Sequence, residues 1–203
     1  MSIKLYVEGG GDAKALKTAC RRGFRLFLEK AGLEGRMPGI VACGARQNAY
    51  DRFTTALDVA DGSPMLLVDA EGPVSADVDN ADPWGHLHSR DGWTRPNGAG
   101  DGQCHLMVQV MESWFLADKA TLTSFYGQGF QANSLPGNLQ VEAVAKADVL
   151  DGLARATRNT QKGAYSKGSY SFDILTSINP ASVEGAAPYA KRLLDTLRGG
   201  ESA

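Results

Sequence analysis

Apolar residues recur along this chain in two rhythms. Ile3, Leu5 and Val7 alternate with polar or amphipathic neighbours, so residues 3–7 are read as a first strand. Residues 65–68, Met-Leu-Leu-Val, are wholly apolar, as in a strand buried on both faces of a sheet. Residues 39–44 and 105–111 read as two more strands. Between the strands the spacing changes to three and four. Leu16, Ala19, Cys20, Phe24, Phe27 and Leu28 define an amphipathic helix over 13–31, capped by Asp12 and closed by Gly32. Its other face carries Lys14, Lys17, Arg21, Arg22 and Arg25. Tyr50, Phe53, Leu57 and Ala60 define a second helix over 45–60, followed by a turn at 61–64. Strand and helix alternating in this order predict an α/β fold, a Rossmann-like and mostly parallel sheet of about four strands flanked by helices.

The later chain is less regular. Residues 70–103 hold Pro73, Pro83 and Pro96 with several glycines, a long insertion loop in which 82–88 reads as a short helix. Residues 112–118 turn at once into a helix. The last third has no strand pattern, and 141–154, 170–177 and 187–197 read as helices. Asn179-Pro180 and Pro188 punctuate them, and Arg158, Lys162 and Lys167 interleave with Tyr165 in the polar stretch 155–169. The expectation is one domain over 1–198, with a helical C-terminal part at 139–198 and a frayed tail at 199–203.

Composition adds boundaries. The 203 residues are 43% hydrophobic and 22% charged, with net charge -2, so no global basic signature points to a polyanion. A nucleic-acid partner then requires a local basic patch or metal ions at the site. Cys20, Cys43 and Cys104 are scattered without CxxC spacing, which argues against a zinc knuckle or disulfide framework. The start runs straight into a strand without a signal-peptide layout, and no apolar run approaches the roughly 20 residues that span a bilayer. A cytoplasmic protein with no membrane partner is expected.

Candidate chemistry lies at the strand ends. Ligands of open parallel sheets sit outside the carboxyl ends of the strands. There the chain places Glu8, then Asp69 with Glu71, then Glu112. Carboxylates converging at neighbouring strand ends repel one another unless a hard cation such as Mg²⁺ or Mn²⁺ takes their oxygens. The competing reading is three solvated strand ends or caps. Gly9, Gly10 and Gly11 give close backbone clearance for a phosphate, but there is no Walker lysine, and Lys14 stands where a dinucleotide fingerprint needs Gly or Ala. Arg46 beyond the second strand is a candidate phosphate contact, and Lys162 and Lys167 are candidates to steady a scissile phosphate. His86 and His88 read as loop histidines, and Trp84, Trp93 and Trp114 as packing residues.

Glu8-Gly9 after the first strand and Asp69-x-Glu71 after a later one resemble the TOPRIM fold of topoisomerases, primases and overcoming-lysogenization-defect nucleases. The resemblance departs where that fold carries Asp-x-Asp and this chain has Asp-Ala-Glu. Nearly the whole chain resembles the DUF4276 family of small bacterial proteins, through residues 6–12, 67–71 and 108–118. The resemblance implies a TOPRIM-like domain encoded beside an ATPase in anti-phage defence, and by analogy a Mg²⁺-dependent nuclease. Glu8, Asp69, Glu71 and Glu112 would then be metal ligands, Glu8 alternatively the base, and DNA or RNA the substrate. A non-catalytic module that binds an ATPase or nucleic acid is the alternative.

Overall fold

The computed structural model describes residues 2–59 and 62–199; Ala60, Asp61 and the tail beyond 199 lie outside the described residues, and with them the end of the expected second helix. Four strands, β1 (Ile3–Glu8), β2 (Gly39–Gly44), β3 (Ser63–Asp69) and β4 (Cys104–Met107), form one parallel sheet in the order β2-β1-β3-β4. The α/β, Rossmann-like class read from the sequence is therefore the observed one. Helix α1 (Lys14–Leu28) connects β1 to β2, and α2 (Arg46–Asp58) carries the chain back across β1 to β3. Right-handed crossovers in opposite directions put these two helices on opposite faces.

The period of two in the strands decides what each face buries. Leu5, Val7, Met65 and Leu67 point into a core with Phe24 and Phe27 of α1. Tyr6, Leu66 and Val68 point the other way, onto Ala49, Phe53 and Ala56 of α2. The wholly apolar β3 is buried on both sides, as its composition requires.

The insertion after β3 is not structureless. It contains α3 (Pro83–Asp91), capped by the Asp82 carboxylate, which accepts the Gly85 N–H at 2.7 Å. Trp84 and Leu87 anchor it to the α2 side of the sheet. Past β4 the strand is shorter than the apolar run suggests. The chain leaves the sheet at a cis Val108–Gln109 peptide and forms a tight 3₁₀ segment over Met111–Ala117. Helices α4 (Lys119–Tyr126), α5 (Lys146–Thr157), α6 (Ser171–Ser177), α7 (Pro180–Ala186) and α8 (Pro188–Leu197) supply the helical last third. Most of their apolar residues join the α1 side, where Trp114 stacks on Phe27 at 5.4 Å between ring centroids.

Two local readings need correction. Asp12 does not cap α1: the N-cap is Ala13, with no side-chain hydrogen bond, because the left-handed glycine turn delivers the chain into the helix one residue later. The helix read over 141–154 is a 3₁₀ turn at Val141–Ala143, a break at Val144 and Ala145, and then the twelve residues of α5.

Candidate metal centre at the switch point of the sheet

In the order β2-β1-β3-β4 the chain departs from β1 in one direction and returns to its other side. The crevice between the carboxyl ends of β1 and β3 is the topological switch point, where such sheets bind ligands. Glu8 is the last residue of β1 and Asp69 the last of β3. The Asp69 N–H donates to Glu8 Oε2 at 3.0 Å, which ties the two strand ends together. Two residues on, Glu71 takes a left-handed backbone (φ 66°), and its N–H donates to Gln109 O at 2.7 Å. That turn folds Glu71 back, so that one carboxylate oxygen from each of Glu8, Asp69 and Glu71 lies within 4.8 Å of the others.

These acids are embedded in cations. Lys167 Nζ donates to Asp69 Oδ2 at 2.9 Å, and the Met111 N–H to Asp69 Oδ1 at 2.8 Å. Arg46 Nη1 reaches Glu8 Oε2 at 3.2 Å and Asp69 O at 2.8 Å, while its Nη2 meets Asp91 Oδ2 at 2.6 Å. The Arg46 guanidinium lies 5.1 Å from the Trp93 ring centroid, a cation–π platform. Lys146 hydrogen-bonds Glu71, and Arg90 stands 3.7 Å from the same carboxylate.

Burial sets the protonation of the group. Loss of hydration, then the charge of Asp69, pushes Glu8 up to about 7 against the pull of Arg46. Asp69 is also raised by burial, with Lys167 opposing. Burial raises Glu71 too, but its hydrogen bond and charge pairing with Lys146 outweigh that and leave it below the ordinary range. Lys167 is desolvated, yet Asp69 and Glu112 hold it above its ordinary value, so it is a cation throughout the neutral range.

A cavity of about 290 Å³ opens over Glu8, Asp69 and Lys167, with Gly10 and Glu112 also in its lining and Glu71 outside it. Glu112 is fully buried beside it: Oε1 accepts the Tyr165 hydroxyl at 2.8 Å, and Oε2 has no hydrogen-bond partner among the described residues. Oxygen-only donors, three mutually close carboxylates and a buried carboxylate oxygen without a partner fit a hard divalent cation. Their spacing of up to 4.8 Å exceeds the roughly 4.2 Å that twice a Mg²⁺–oxygen distance allows, so the carboxylates would have to draw together by a few tenths of an ångström to share one such ion. Glu8, Asp69 and Glu71 would hold the ion, with Glu112 at the wall of the same cavity but outside the three-acid group.

The other expected residues divide. Lys167 and Arg46 are in the site. Lys162 is not: its Nζ lies 5.1 Å from the Phe125 ring centroid. The glycines act as clearance more than as a phosphate cradle. The Gly9 N–H is spent on Gly44 O at 2.9 Å, and a Cβ on Gly10 (φ 84°) would sit 2.8 Å from Lys17 Cα. His86 contacts Ala70 O at 2.8 Å through Nε2, a structural role. Arg90, Asp91 and Lys146 are site residues that the sequence pattern passes over. Asp91 ends α3 and Lys146 begins α5, each at the helix end where the macrodipole disfavours its charge. That misplacement is the one signal that marks them.

Fold and site together define an open parallel α/β protein with a carboxylate cluster at its switch point. The chain belongs to the DUF4276 family, a domain of unknown function, whose model matches residues 7–198. Comparison with curated proteins and with solved structures gives no match.

Proposed function

We propose that the protein is a divalent-cation-dependent phosphodiester hydrolase, a TOPRIM-like nuclease using Mg²⁺ or Mn²⁺ on DNA or RNA. Its biological setting is cytoplasmic anti-phage defence alongside an ATPase. The observation that carries the reading is the convergence of Glu8, Asp69 and Glu71 at the switch point. No helix among the described residues is long and apolar enough to cross a membrane.

Asp69, Glu71 and Glu8 would hold the ion, which when bound polarises a phosphoryl oxygen and acidifies water. The remaining chemistry belongs to the chain. Lys167, half exposed on the Asp69 side of the cavity, offers its ammonium to a phosphate oxygen as negative charge develops there. Alternatively Asp69 and Glu71 would hold the ion without Glu8, whose carboxyl burial pushes up to about 7 in the metal-free site and which would then take a proton from the attacking water. Arg46 fixes the Glu8 carboxylate against Asp69 O, so that the base is held by two elements at once.

The ion pairs favour a second reading. Each of the three acids already faces a lysine or arginine of the chain, as it would in a non-catalytic module that binds an ATPase or nucleic acid. Turnover separates the two. Glu8→Ala and Asp69→Ala are expected to abolish Mn²⁺-dependent cleavage of labelled DNA or RNA while circular dichroism shows a retained fold. Cleavage that persists in both variants removes the site from the reaction.

A further inference from the structure

Helix α1 turns a cationic stripe to solvent. Lys14, Lys17, Arg21 and Arg25 follow one face at i, i+3, i+7 and i+11, with Arg22 beside them. At 1.5 Å per residue the stripe runs about 16 Å. Lys14–Leu28 contains no Asp or Glu, although the chain as a whole carries net charge -2. Lys14 and Lys17 sit in the first turn, where the macrodipole works against cations, and no acid offsets them there. Among the described residues only Arg22 and Arg25 of this set pair with carboxylates, Arg22 with Asp173 at 3.9 Å and Arg25 with Glu29 at 2.9 Å. Both pairs are exposed and yield readily to a competing anion. Arg21 donates to the Thr18 hydroxyl at 3.0 Å.

The stripe has a second wall. Arg21, Arg22 and Arg25 face Met37, Pro38 and Ile40 across a groove of about 550 Å³, and Ile40 belongs to β2, the edge strand of the sheet. At its other end the stripe abuts the metal centre. Lys17 packs directly beneath Gly10, its Cε lies beside Gly44, and both glycines line the cavity over Glu8 and Asp69.

We propose that α1 and the β2 edge form a track that grips a polynucleotide by its phosphates and leads it to the cavity. The catalytic use of that cavity rests on the function proposed above; the track itself does not. A single small phosphate would use one or two of these cations. A stripe of about 16 Å is long enough to meet several successive phosphates of one strand. Arginine supplies the bidentate phosphate geometry, and the contacts are blind to sequence.

The test is fluorescence anisotropy in EDTA, with fluorescein-labelled duplex DNA of about 20 base pairs and an RNA strand of similar length, over a salt series. The wild type and an Arg21→Gln/Arg22→Gln/Arg25→Gln variant are compared. Arg155→Gln/Arg158→Gln, changing exposed cations elsewhere, serves as control. The triple variant is expected to weaken binding at least about tenfold and to lower the log–log salt slope by roughly 2–3, while the control moves it little. Mn²⁺-dependent hydrolysis of bis(p-nitrophenyl) phosphate, which needs the cavity alone, is expected to be unchanged in the triple variant. Wild-type protein that binds neither polynucleotide overturns the track, as does a triple variant with the wild-type slope or a preference for poly-glutamate. Absence of wild-type hydrolysis counts against the catalytic reading and leaves the EDTA result to decide the track.

Discussion

Replacing Lys167 by methionine tests how the site is held together. Asp69 is 4% exposed in its side chain and Lys167 50%, with 2.9 Å between Nζ and Oδ2. Breaking a fully buried pair costs about 3–5 kcal/mol, and an exposed pair contributes about 0–1. This pair is buried on one side only, and Asp69 keeps its bond from the Met111 N–H. A loss of about 2 kcal/mol at pH 8 follows, or roughly 4–8 °C in Tm for a chain of this size. The loss depends on pH. Burial already holds the folded Asp69 carboxyl above its ordinary range, so the group costs stability as pH rises from its unfolded pKa through its folded one. Removing Lys167 raises the folded value further. The variant's deficit therefore opens only above the wild-type folded pKa and closes in acid, where Asp69 is protonated in both proteins. Urea denaturation of both proteins at pH 4.5 and pH 8 reads this directly. An equal deficit at both values, or none at pH 8, refutes the pairing.

Two further predictions concern the scaffold. Gly10→Ala places a methyl 2.8 Å from Lys17 Cα at a φ of 84°, and should cost about 2–4 kcal/mol in a thermal melt; an unchanged Tm would show that the β1–α1 turn is not close-packed. Glu142, partly buried beside α8, accepts the Tyr189 and Ala190 N–H groups, and burial still pushes it up to about 7. Its folded pKa lies above its unfolded one, so it costs stability as pH rises from about 4.5 to 7, and Glu142→Gln should flatten that fall in urea midpoints; an unaltered pH slope would contradict it.

Much of this arrangement is legible in the chain because it depends on local rules. The alternation in 3–7 and the apolar run at 65–68 specify buried parallel strands, and strands of that kind end at the edge where Glu8 and Asp69 stand. What escapes is decided by contacts between distant segments. Lys162 and Lys167 are chemically alike and five residues apart, yet one lies on Phe125 and the other on Asp69, a choice made by the turns between α5 and α6. Glu112 reads as a strand-end acid like the others, but the chain leaves the sheet before it, and it is buried against Tyr165. Asp91 and Lys146 come from an insertion and a late helix whose docking no periodicity announces.

The central claim is that Glu8, Asp69 and Glu71 form a hard-cation site. Calorimetric titration of the purified protein with Mn²⁺ and Mg²⁺ tests it most directly, alongside Glu8→Gln and Asp69→Asn. Because Glu8 titrates at about 7, binding should release a substantial fraction of a proton at pH 6.5 and little at pH 8. The account predicts a stoichiometric wild-type site with that proton release, lost in both variants. Wild-type protein that binds neither ion, or variants that bind as the wild type does, would contradict it.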